Sequence, residues 1–150
     1  MKNSIVILII AVLLLSSSCG SKTKKENAET QNTETTKTDA PSSKLVELAA
    51  KMNKDMPQVF PGGIRVDKVE AVSKTEFKYY YTFTQDPIVS VEEFERATKP
   101  MLSMAMQTAK GEEDIDLLKK NKMTVIYAYY KMDKSLFAEV KLEPKDYIKK

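Results

Sequence analysis

The chain offers one thiol and no imidazole. Cys19 is its only cysteine, and none of the 150 residues is histidine. That composition excludes Ser–His and Cys–His nucleophile pairs, imidazole general bases and every histidine-containing zinc site. Carboxylate, lysine, serine and tyrosine chemistry remains. Glu112, Glu113, Asp114 and Asp116 gather oxygens that calcium could use. They lack the alternating ligand spacing and internal glycine of an EF-hand loop, and a charged turn with Asp114 capping the next helix is the simpler reading. After Gly20 the only glycines are Gly62, Gly63 and Gly111, which make no phosphate-cradling loop. The expectation is a protein without catalytic residues, metal or cofactor.

Tyrosine is the stronger compositional signal. Six of the seven tyrosines fall in two short stretches, Tyr79, Tyr80 and Tyr81, then Tyr127, Tyr129 and Tyr130. Strand side chains alternate between faces, so neither triplet can point wholly into one core. Tyr79 and Tyr81 are expected to face helices, with Tyr80 opposite. On the second strand either Tyr127 and Tyr129, or Ile126 and Tyr130, share the open face with Tyr80. Tyrosine suits a partner surface because it offers large area at low entropy cost. The plainer alternative is cross-strand packing on a solvated sheet. Tyr80 and Tyr130 are the candidate partner-face residues. Met101, Met104 and Met106 read as adaptable core fillers.

Cys19 has a setting of its own. Lys2 precedes an unbroken apolar run at residues 5–15; Ser16, Ser17 and Ser18 follow, then Cys19 and Gly20. Eleven helical residues cover roughly 16 Å, about half of a ~30 Å hydrocarbon core, which fits a secretory signal better than a membrane span. Residues 1–20 resemble the signal peptide of a bacterial lipoprotein. The leucine that usually stands three residues before the cysteine is Ser16 here, with Leu15 one place further out. The resemblance implies removal of residues 1–18 and a diacylglyceryl thioether on Cys19, often with a third acyl chain. It also implies a bacterial cell-envelope location. Gly20, where an aspartate would favour inner-membrane retention, points to the outer membrane in a host with two membranes. Each buried methylene adds about 0.8 kcal/mol, so two or three chains hold effectively permanently. A membrane-retained N-terminal anchor and an unlipidated signal are the alternatives. With no second cysteine, no disulfide can form within the chain.

Residues 20–43 contain no large apolar side chain; four lysines balance four acids among six threonines. Such a segment cannot bury enough surface to offset its ordering entropy, and is expected to be a disordered tether. Its root-mean-square span would be about 27 Å, with a stretched limit near 80 Å. Lys22, Lys24 and Lys25 could touch anionic headgroups, although acids follow closely and a solvated linker is the plainer reading. Residues 44–150 suit a single domain. Setting aside Lys2 and the four linker lysines from 24 basic residues, and the four linker acids from 21, leaves the domain at net +2. That is no footprint for nucleic acid.

The elements follow from spacing. Ser43 can cap a helix over residues 44–56, with Leu45, Leu48, Ala49, Met52 and Met56 on one stripe and Pro57 ending it. Pro61, Gly62 and Gly63 turn the chain into a strand at 64–72, whose imperfect alternation suits a bulge. Residues 76–85 alternate cleanly as a second strand. Ser90 and Glu93 form a capping box, with Val89 and Phe94 placed as a hydrophobic staple. Pro100 should kink or break that helix before it resumes at 101–110, and Gly111 can end it in a left-handed conformation. A short helix at 114–121 and a hairpin of strands 123–131 and 136–143 complete the domain. Helix–strand–strand, repeated, implies an α+β sandwich: a four-stranded antiparallel sheet with helices on one face. Residues 124–133, with Tyr127, Tyr129 and Asp133, resemble uncharacterised small exported bacterial domains. The layout is similar in outline to the beta-lactamase-inhibitor-protein-like fold; neither resemblance implies site residues.

The leading functional reading is a lipid-anchored, non-enzymatic envelope protein that binds an envelope protein partner or supports an assembly. A small-ligand carrier, with an apolar pocket between helix and sheet, is the alternative. A carboxylate or Ser–Lys hydrolase is the third, and needs an ionisable pair converging in a cleft.

Overall fold

A computed structural model describes residues 39–149 of the chain. The apolar run at residues 5–15, Cys19 and most of the expected tether lie outside them. Four helices and five strands follow in the order α1 (Ser43–Asn53), β1 (Gln58–Phe60), β2 (Ile64–Ala71), β3 (Glu76–Phe83), α2 (Val91–Thr108), α3 (Glu113–Lys120), β4 (Thr124–Tyr130), β5 (Leu136–Leu142) and α4 (Pro144–Tyr147). The strands form one sheet in the order β1-β2-β3-β4-β5. β1, β2 and β3 pair antiparallel, as do β4 and β5, but β3 and β4 run parallel.

The sheet therefore departs from the expected four antiparallel strands twice. It has a fifth strand, and it is mixed. The missed strand, β1, has three residues between Pro57 and Pro61, a setting that reads as a turn. It pairs on one side only, so the flanking prolines cost the sheet little. The parallel pair follows from the crossover. The eighteen-residue helix α2 spans about 27 Å, and the eight residues of β3 span about 26 Å. The helix thus carries the chain back along the whole strand, so that Thr124 starts level with Glu76.

Pro100 does not break α2, which runs unbroken through it. The bond that proline cannot donate would go to the Arg96 carbonyl, and both residues lie on the exposed side, where water can serve that oxygen. The N-terminal signal of this helix is present as expected. The Ser90 hydroxyl accepts from the Glu93 N–H at 3.2 Å, and the Glu93 carboxylate accepts from the Ser90 N–H at 3.2 Å. α1 starts one residue earlier than expected and ends earlier too; its N-cap is Ser42, whose side chain makes no capping bond. Glu112, rather than Asp114, is the N-cap of α3.

The core lies between the helices and one face of the sheet. Leu45, Leu48, Ala49 and Met52 descend from α1 and Thr98, Leu102 and Met106 from α2, with Leu118 from α3. They meet Val66, Val69, Phe77, Tyr79, Tyr81, Phe83, Val125, Tyr127 and Tyr129. Val66 and Val69 are three residues apart, an odd spacing for one face, yet both are fully buried. A bulge between Val66 and Lys68 supplies the extra residue that lets both point inward. Only Met106 of the three α2 methionines fills the core; Met101 and Met104 are exposed, at 41% and 64%. Met106 lies four residues on from Leu102 along the buried stripe, and the other two fall off it.

Candidate functional site

The strand register writes the open face of the sheet as three rows. Glu70, Lys78, Ile126 and Lys141 form one; Lys68, Tyr80, Ala128 and Glu139 the next; Arg65, Thr82, Tyr130 and Leu136 the third. Of the two pairs that alternation allowed on β4, the structure places Ile126 and Tyr130 on this face, with Tyr127 and Tyr129 under the helices. Tyr80 and Tyr130, the two residues singled out from sequence, stack here with ring centroids 6.2 Å apart and planes 14° from parallel.

Tyr80 is the hub of a polar network. Its hydroxyl donates to Glu70 Oε2 at 2.9 Å, and Lys68 Nζ donates to the same oxygen at 3.0 Å. Lys68 Nζ also sits 4.3 Å from the centre of the Tyr80 ring, with Lys78 Nζ at 5.4 Å, both within cation–π range. Lys78 then donates to Glu139 Oε2 at 2.8 Å. Burial pushes the Tyr80 hydroxyl well above its ordinary value, and the bond to Glu70 with that carboxylate's charge pushes it further. It therefore stays a neutral donor at any physiological pH. Burial raises Glu70, but the bonds from Lys68 and Tyr80 and the charges of Lys68 and Lys78 outweigh it and hold the carboxyl below its ordinary value. The Lys78 bond does the same for Glu139, against some desolvation, with Lys141 adding to it. Thr82 and Arg65 both donate to Asp67 beside this network.

One member of the face escaped the sequence pattern. Simple alternation puts Leu136 with Ala138, Val140 and Leu142, which are buried. A second bulge pairs Tyr129 with Ala138 but Tyr130 with Leu136. Leu136 is thereby turned to the open face, 54% exposed, while Phe137 packs against Phe83 and Phe94. Met132, in the adjoining turn, is 63% exposed. Tyr80, Tyr130 and Leu136 thus make an apolar corner beside a charged lattice. The only sequence signal for it was the adjacent apolar pair Leu136 and Phe137, which breaks alternation in β5 but does not by itself locate a bulge.

The other candidate chemistries are placed as follows. The described residues hold no group of three acids arranged to bind a metal ion. Glu112 has one carboxylate oxygen buried without a hydrogen-bond partner among them. Burial raises its pKa, as do Asp114 and Asp116, while Lys119 opposes them. The space between helices and sheet is filled by stacked rings: Tyr79 on Tyr127 at 5.2 Å, Tyr81 on Tyr129 at 5.0 Å and Phe94 edge-on to Tyr129 at 4.7 Å. A shallow groove of about 610 Å³ lies outside α2, lined in part by Lys99, Ser103 and Asp146. There Lys99 Nζ faces Asp146 Oδ2 at 3.5 Å, and the Ser103 hydroxyl donates to the Asp146 carbonyl. Serine and lysine are each engaged with Asp146 instead of with one another.

Comparison with solved structures places the fold beside a candidate secreted protein of Pseudomonas aeruginosa. The TM-score is 0.59 at 10% identity, over 71% of this chain and 92% of that one. A pilotin of the Vibrio vulnificus type 2 secretion system aligns with a TM-score of 0.48 at 7% identity, over 71% of this chain and 91% of that one. No family model matches the chain, and no curated protein matches it. At 10% identity the feature shared with the Pseudomonas protein is the α+β fold of the domain.

Proposed function

We propose that this is a lipid-anchored bacterial envelope protein, exported and held by acylated Cys19, whose domain is a non-enzymatic module that binds an envelope protein partner. Residues 1–18 are the removed signal, residues 19–43 the anchor and tether, and residues 44–150 the binding domain. The observation that carries the binding role is the stacked Tyr80–Tyr130 pair beside exposed Leu136 on the open face. Aromatic and aliphatic anchors ringed by ion pairs are the usual make-up of a protein-binding patch. The fold neighbour described as a candidate secreted protein is in keeping with export. With the anchor at one end of a flexible tether, the domain can reach partners across tens of ångströms without fixed orientation.

The test is capture from cross-linked envelope fractions with the full chain as bait, beside a Tyr80→Ser/Tyr130→Ser/Leu136→Ser variant. Partners specific to the native chain should be lost with the variant, while its circular dichroism and melting stay native-like. An unchanged partner set with a folded variant would sink the open-face reading. Mass analysis of the mature N-terminus tests the anchor independently: a free Cys19 thiol would overturn it.

A further inference from the structure

We infer that the end of the domain where the tether arrives docks on an anionic phospholipid surface, an inference that rests on the lipid-anchored reading above. The chain enters at the β2–β3 turn, where the Lys74 N–H donates to the Asp39 carbonyl at 3.1 Å. The same end of the sheet holds the starts of β3 and β4 and the finish of β5, since Glu76 pairs with Thr124 and Val125 with Leu142. The Thr124 N–H closes it by donating to the Thr75 carbonyl at 2.7 Å. Lys74, Lys119, Lys120, Lys122, Lys145 and Lys149 lie on the segments that meet there, against the carboxylates of Asp39, Glu76, Glu143 and Asp146; Lys145 pairs with Glu143, and Lys119 Nζ donates to the Ala109 carbonyl at 2.6 Å. α3 sharpens the bias, because Glu113, Asp114 and Asp116 occupy its first turn and Lys119 and Lys120 its last, nearest this end. Val72 and Ile148, 41% and 37% exposed, add apolar contact among the lysines.

The far end has the opposite balance. Asp67, Asp86, Glu92, Glu93, Glu95 and Asp133 lie towards that end, against Arg65, Arg96, Lys131 and Lys134. A domain basic near its tether and acidic far from it is a dipole, and a negative bilayer surface turns such a dipole base-down. The tether makes this effective, because it confines the domain to high local concentration at the lipid and weak contacts then suffice. Docked this way, Tyr130, Leu136 and Met132, at the far end, face away from the membrane and remain open to a partner.

The experiment uses the acylated full chain in vesicles, where an added cysteine carries the only free thiol. A fluorophore is placed at Asn121→Cys on the basic end or Met132→Cys on the far end, with a quencher on lipid headgroups. In vesicles of phosphatidylcholine with phosphatidylglycerol, quenching at position 121 should exceed that at 132 by about threefold. The difference should vanish in about 0.5 M salt, in phosphatidylcholine alone, and in the Lys119→Glu/Lys120→Glu/Lys122→Glu variant. Equal quenching at both positions in the anionic vesicles overturns the docking, and the salt series on the native chain decides this even should the triple variant misfold. A chain that floats with no vesicle and lacks the diacylglyceryl mass overturns the anchor itself, and the docking with it.

Discussion

β3 and β4 present the same residue type to two environments. On the helix side Tyr79, Tyr81, Tyr127 and Tyr129 stack in a closed layer; on the other side Tyr80 and Tyr130 stack in the open. Under the helices the rings are space-filling core, and burial pushes the hydroxyls of Tyr79, Tyr81 and Tyr127 well above their ordinary value, with neighbouring tyrosines adding to it. On the open face the Tyr80 hydroxyl is a working donor in a lattice of lysines and carboxylates. A single aromatic run thus supplies a core and a surface, because successive side chains of a strand leave on opposite sides.

Removing mass from the covered side should cost most. Phe77→Ala empties a fully buried site against Tyr79, and is expected to destabilise by about 3–5 kcal/mol in urea unfolding. A loss below about 1 kcal/mol would mean that the covered layer is not the core. High pH attacks the same side. Because the folded pKa values of Tyr79, Tyr81 and Tyr127 lie above the unfolded value of 10.0, their contribution is complete below pH 10 and declines as pH rises beyond it. Phenolate absorbance should therefore appear together with loss of near-ultraviolet circular dichroism; ionisation of all tyrosines before unfolding contradicts the covered assignment.

The open side should respond less, and at the other end of the pH scale. Glu139 is held below its ordinary 4.5, so its share of stability is present above that value and lost as pH falls through the folded one. Glu139→Gln should cost about 1 kcal/mol near neutrality, given the half-buried Lys78 partner, and nothing at pH low enough to protonate the native carboxyl. An equal cost at both pH values would leave the ion pair without a role. Tyr80→Phe keeps the stack and deletes the bond to Glu70, for a loss of about 0.5 kcal/mol. It should also let the Glu70 pKa rise towards its ordinary value, readable by carboxylate NMR; an unmoved Glu70 would show that Lys68 and Lys78 hold it without the tyrosine.

Local signals along the chain were legible to different degrees. The Ser90–Glu93 capping box, the alternation of β3 and the stripe of α1 are contacts within a few residues, and each is present. Pro100 carried an equally local warning that the fold overrode, since its missing bond falls on the wet side of α2. β1 was hidden by brevity and by its flanking prolines. Leu136 was misplaced by alternation because a bulge is a property of two paired strands, and only the partner shows which residue is extra.

The sequence by itself determined the chemical repertoire: one cysteine, no histidine, and tyrosines clustered on two strands. It also determined most helix and strand positions, because capping and periodicity are short-range. Tertiary structure decided which strands are neighbours, that β3 and β4 run parallel, and which tyrosines share a face. Those outcomes depend on how far α2 carries the chain before it rejoins the sheet, and on two bulges that shift register. They arise between segments distant in sequence, where no local pattern records them.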